Sequence, residues 1–106
     1  MNYRIHVSDK ALANVESVVL WFPNQSASAV GQRWFDALWN TLDTLEARPE
    51  RCSLADESNE IGIEVRELLF GRKRGQYRIL FRVVGKTVHI LRIWHSARDR
   101  FTVEDL

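Results

Sequence analysis

The stretch Gln76-Tyr77-Arg78-Ile79-Leu80-Phe81-Arg82-Val83-Val84-Gly85-Lys86-Thr87-Val88-His89-Ile90-Leu91-Arg92-Ile93-Trp94-His95 decides the fold. It is rich in β-branched and aromatic residues and contains no proline, and Gly85-Lys86 divides it at the spacing of a two-residue hairpin turn. With Val84 paired to Thr87, an unbroken register sets Arg82 opposite His89, Leu80 opposite Leu91, Arg78 opposite Ile93 and Gln76 opposite His95. One face of this hairpin then gathers Arg78, Arg82, His89 and His95, with Leu80, Leu91 and Ile93 between them. The other collects Tyr77, Ile79, Phe81, Val83, Val88, Ile90, Arg92 and Trp94, and is expected to be the buried side. Each large side chain withdrawn from water there contributes about 1.5–3 kcal/mol.

Working outward, Glu64 to Phe70 reads as a preceding strand, joined to Gln76–Val84 by the basic turn Gly71-Arg72-Lys73-Arg74-Gly75. Three strands at hairpin spacing make an antiparallel meander. Upstream, Arg51 to Gly62 is polar and irregular and reads as a loop. Further back the period becomes helical. Leu12, Val15, Val19 and Phe22 draw one apolar stripe after a Ser8 cap, and Pro23-Asn24 ends that helix. A second helix, capped by Ser26 or Ser28 and closed by Pro49, carries Val30, Trp34, Leu38, Thr41 and Leu45, widened by Phe35, Leu42 and Trp39. The short connection implies a helical hairpin. Tyr3, Ile5 and Val7 alternate with polar residues as in a strand, and the tail from Ser96 to Leu106 is short and charged. The expected fold is α+β in the order β-α-α-β-β-β, a helical hairpin packed on an antiparallel sheet, with residues 1–106 forming one domain.

The composition suits a soluble globular chain: 106 residues, 45% hydrophobic, 27% charged, net charge +1. No apolar run approaches membrane-spanning length and Met1-Asn2-Tyr3-Arg4 lacks the apolar stretch of a signal peptide, so no membrane partner and a cytoplasmic location are expected. Cys52 stands alone and the three histidines show no ligand spacing, so neither a metal nor another cofactor is expected. The modest net charge conceals unlike halves. Residues 1–60 carry five cations against nine anions, residues 61–106 ten cations against five anions. A basic face therefore belongs to the second half.

An arginine and a histidine at one end of adjacent strands are the parts needed to act on a phosphodiester. The guanidinium neutralises charge on the phosphorane, and the imidazole moves a proton. Arg66 and Arg98 could join Arg78 and His95 as catalytic groups, with Glu57 or Glu60 supplying a base. Arg82 and His89 on the same face, and Arg72, Lys73 and Arg74 in the turn, are candidate substrate contacts, the alternative being solvated surface charge. His6 reads as a surface or satisfied core residue. Trp21, Phe35 and Trp39 exceed what one narrow helical stripe can bury, so they either complete the core or clasp a partner.

Carried by the opening strand with Ser8, by Arg33-Trp34 through Leu45, Pro49 and Arg51-Cys52, and above all by Val65–Gly71, Gly75–Phe81 and Ile90–Asp99, the chain resembles the RelE/ParE superfamily of type II toxin–antitoxin toxins, also called plasmid stabilisation proteins. The resemblance implies a growth inhibitor neutralised by a cognate antitoxin. RelE-like members cut mRNA in the ribosome through attack of the 2′-hydroxyl; ParE-like members inhibit DNA gyrase and are not known as nucleases. Ribosome-dependent mRNA cleavage, by a metal-independent endoribonuclease, is the first expectation and gyrase inhibition the alternative. By motif, Arg78 and Arg98 resemble RelE arginines, Arg66 stands where a lysine is frequent, and His95 is placed like the histidine of YoeB-like members. Ser96 stands where those members have a tyrosine. Phe35, Trp39 and Trp21 are the residues expected to meet the antitoxin.

Overall fold

A computed structural model describes residues 2–21, 24–72, 75–97 and 100–106, with the backbone alone at positions 21 and 24–28. Strand β1 (Arg4–Val7) leads into helix α1 (Asp9–Trp21) and helix α2 (Asn24–Asp43). A single helical turn, α3 (Ser58–Ile61), precedes β2 (Arg66–Phe70), β3 (Tyr77–Val84) and β4 (Thr87–His95). The sheet order is β1-β4-β3-β2. The meander is antiparallel as expected. The opening strand joins it in parallel beside β4, which makes the sheet mixed.

Alternation dictates what each strand buries. Ile79, Phe81, Val88, Ile90 and Ile93 turn to the helices and form the main core with Ala11, Val15, Leu38, Leu42 and Leu45. The second helix ends earlier than Pro49 implies. It stops at Asp43 and continues through 3-10 turns at Thr44–Glu46 and Pro49–Arg51. The expected stripes are displaced too: Ala11 is fully buried, whereas Leu12 and Val30 are exposed.

The hairpin register departs from the expected one in a single place. Val84↔Thr87, Val83↔Val88, Arg82↔His89 and Phe81↔Ile90 pair as anticipated, but beyond them Leu80 faces Arg92, Ile79 faces Ile93, Arg78 faces Trp94 and Tyr77 faces His95. Leu91 is an extra residue, a β-bulge, and every side chain after it changes face. Arg92 and Trp94 therefore lie with Leu80 and Arg78, whereas Ile93 and His95 lie with Ile79 and Tyr77. Two side chains secure the bulge. Ser8 Oγ donates to the Leu91 carbonyl at 3.1 Å and accepts the α1 N-terminal amide of Ala11 at 3.0 Å. Asn14 Oδ1 accepts the Ile93 amide at 3.2 Å. Ser8→Ala removes the helix cap and the bulge contact together, so it should cost about 1–2 kcal/mol. A urea titration should show a lower midpoint at unchanged slope; an unmoved midpoint would contradict this role.

The sheet face turned away from the helices is not bare. Ala55, Val65, Leu80, Trp94 and Phe101 form a second core there, with Ile61, Ile63 and Leu91 against it. The loop expected over Arg51–Gly62 supplies part of this cover. The Ala55 amide donates to Val65 O, Leu54 bridges to Arg66, and Ser58 Oγ links Ile63 O to the Val65 amide. The charged tail supplies the rest, because Phe101 is 1% exposed against Trp94.

Candidate functional site

The second core borders a cleft lined by Asp56, Glu57, Glu67, Leu69, Arg78, Ser96 and Arg100. Arg78 is its centre. Its Nη1 and Nη2 donate to the two carboxylate oxygens of Glu57 at 2.9 and 2.8 Å, and its Nε donates to Glu67 Oε1 at 2.5 Å. All three guanidinium nitrogens are engaged, in the side-by-side geometry that makes arginine–carboxylate pairs strong. Glu57, 2% exposed, also accepts the Phe101 amide at 3.1 Å. Its carboxyl is held down to about 2, chiefly by the Arg78 bonds, against the opposing effect of burial and with help from the Phe101 amide. The Arg78 guanidinium is correspondingly raised above its ordinary value by Glu57 and then Glu67. Arg100 adds an outer pair with Glu60 at 2.8 Å.

The cluster expected on one face is divided between two. Arg78 and Arg82 share the face of the second core, and His89 pairs with Arg82 there. His95 is carried to the helix side by the bulge, where its ring meets Tyr77 edge-on at 5.4 Å and its Nδ1 accepts the Ala97 amide. Trp34 continues that aromatic group, touching both Tyr77 and Phe70. Arg66 pairs with Phe81 and so also belongs to the helix side; its Nη1 donates to the Glu50 and Cys52 carbonyls at 3.2 and 2.7 Å. Arg66 thus fastens the Pro49–Arg51 turn to β2. Arg72 is exposed in the β2–β3 turn. Arg98, Lys73 and Arg74 lie outside the described residues. Glu57, expected in a loop as a base, is instead a buried anchor of Arg78. Among the described residues, no group of three or more His, Cys, Asp or Glu side chains is placed to hold a metal.

A second concave surface lies between the helices. Leu12, Val15, Val19, Leu20, Phe35 and Trp39 line a groove of about 720 Å³, with Glu16 and Gln32 as polar members. Phe35 and Trp39 stack at 5.1 Å with planes 12° apart, one helical turn from each other on α2. Both rings are half-buried and reach the main core from the groove side. The two rings thus help to complete the core and also line the groove. Trp21 falls where only the backbone is described.

The fold is a small mixed sheet carrying two helices on one face, with an apolar groove between those helices and arginines set in carboxylates on the other face. The family model for the ParE toxin of the type II toxin–antitoxin system parDE matches residues 5–100, and the chain belongs to that family. It is 27% identical to Toxin RelE1 of Caulobacter vibrioides over 100 residues, covering 94% of this chain and all of that protein. A chain of the chromosomal ParDE system from P. aeruginosa shares the fold, with a TM-score of 0.68 at 20% identity over 88% of this chain and 95% of the other. The protein is thus the toxin of a type II toxin–antitoxin system, and its family implies a cognate antitoxin.

Proposed function

We propose that this toxin inhibits DNA gyrase by binding it, without chemistry of its own, and that an antitoxin segment seated in the α1–α2 groove silences it. The observation that supports non-catalytic action is the state of Arg78, whose three nitrogens are held by Glu57 and Glu67. Metal-free RNA cleavage of the expected kind needs cations converging, unneutralised, on one phosphate. Here Arg78 faces one side of the sheet, and His95 and Arg66 the other. Freeing Arg78 for a phosphate means breaking a buried pair, which costs about 3–5 kcal/mol. Membership in the ParE family favours gyrase as the target, and gyrase and antitoxin together favour action in the cytoplasm. No helix among the described residues is long and apolar enough to cross a membrane.

Ribosome-dependent mRNA cleavage is the competing reading, and pulse labelling after induction separates the two. Thymidine incorporation should fall several-fold within minutes while methionine incorporation continues. Early loss of methionine incorporation with cleaved transcripts would contradict the proposal and restore the nuclease reading. The groove supports the antitoxin assignment through its apolar lining and the exposure of Leu20 at its rim, 75% open to solvent.

A further inference from the structure

The parallel pairing of β1 with β4 and the antiparallel pairing of β4 with β3 put His6, His89 and Arg82 on one rung of the sheet: His6 faces His89, and His89 faces Arg82. All three point away from the helices, because Ile5 and Val7, Val88 and Ile90, and Phe81 and Val83 alternate with them into the main core. Strands lie about 4.8 Å apart, so the rung spans roughly 10 Å. The two imidazole rings stand edge to face with centroids 5.6 Å apart. Arg4, two residues before His6, extends the same face toward Thr87.

The cations of the sheet differ in what compensates them. Arg66, Arg78, Arg92 and Arg100 each have a carboxylate within ion-pair distance. Among the described residues, none is paired with Arg82 or Arg4. Cations left together on a sheet face repel one another until an anion lies across them. The second core ends beside the rung at Leu80 and Leu91, leaving Arg82 and His89 half-buried on a ledge where an ionic contact is stronger than in open water. Each imidazole offers at least one ring N–H in either protonation state, and Arg82 offers its whole fork.

We propose that the Arg82–His89–His6 rung is a binding site for the phosphates of a nucleic-acid backbone. A strand of duplex DNA presents one charge about every 3.4 Å along the axis, so a 10 Å row of donors meets two or three phosphates. The charge of the face complements a polyanion. The site does not depend on the choice between gyrase and ribosome, since both work on nucleic acid.

The test follows the histidine ring signals of His6 and His89 by NMR in the full-length toxin, with inorganic phosphate and with a 12-base-pair DNA duplex as probes. Both probes should shift both rings, the duplex at lower concentration, and the duplex affinity should fall steeply with added salt. Arg82→Gln should weaken the duplex by about tenfold and flatten the salt slope, whereas Arg33→Gln, on exposed α2 surface, should leave both unchanged. The proposal is overturned if the rings do not move, if phosphate binds and the duplex does not, if an oligoglutamate peptide binds more tightly than the duplex, or if the two variants behave alike. Amide spectra of each variant establish that it is folded before its affinity is read.

Discussion

Glu57→Ala is expected to lower the stability of the toxin by about 3–5 kcal/mol, the cost of leaving a buried charge without its partner. The carboxylate joins three parts of the chain: the loop before α3, strand β3 through Arg78, and the tail through the Phe101 amide. Its loss should release Phe101 from Trp94 and open the second core. Because the folded state holds the Glu57 carboxyl at about 2 against an ordinary 4.5, its contribution is fully present above pH 4.5 and is lost as the pH falls toward 2. A difference of that size is worth about 3 kcal/mol. Urea midpoints measured from pH 7 down to pH 2 should fall for the natural chain and change much less for Glu57→Gln. Parallel curves for the two proteins would contradict the anchor role.

A comparably large effect is expected on antitoxin affinity from the α1–α2 groove. Phe35 and Trp39 form one continuous aromatic surface, and residues of this kind at the centre of an apolar patch dominate binding energies. Replacing both with alanine should weaken the antitoxin by about 100-fold or more, as read by calorimetry with the purified partner. Both rings also touch the main core, so the double variant loses some stability as well. Leu20→Glu distinguishes the two causes. Its side chain is mostly exposed, so a charge there leaves the fold intact while placing an uncompensated anion at the groove rim. Unchanged affinity in Leu20→Glu and in the double variant would place the antitoxin elsewhere.

Periodicity was sufficient for the strands because alternation reports burial directly. Thr87 and His95 bound the last strand as expected, and the Gly85-Lys86 turn sets the register of its first half. What alternation cannot encode is the residue at which it slips. Leu91 is apolar like its neighbours, so an unbroken register and a bulged one bury similar side chains, and the choice is made by Ser8 and Asn14, more than seventy residues away. That one residue carries His95 away from Arg78. The second core was hidden for a related reason. Phe101 is the sole aromatic in a charged tail, and Glu57 sits in a stretch with no period, so neither announces burial locally. The arginines were visible as basic charge, but their state depends on whether a carboxylate is brought against them by the fold, as it is for Arg78 and not for Arg82.

The most direct test of binding without catalysis is a comparison in purified systems. The toxin is added at equal concentration to a gyrase supercoiling reaction and to programmed ribosomes carrying a labelled mRNA. Loss of supercoiling with the mRNA intact is the predicted result. Cleavage of the ribosome-bound mRNA with supercoiling unaffected would contradict it.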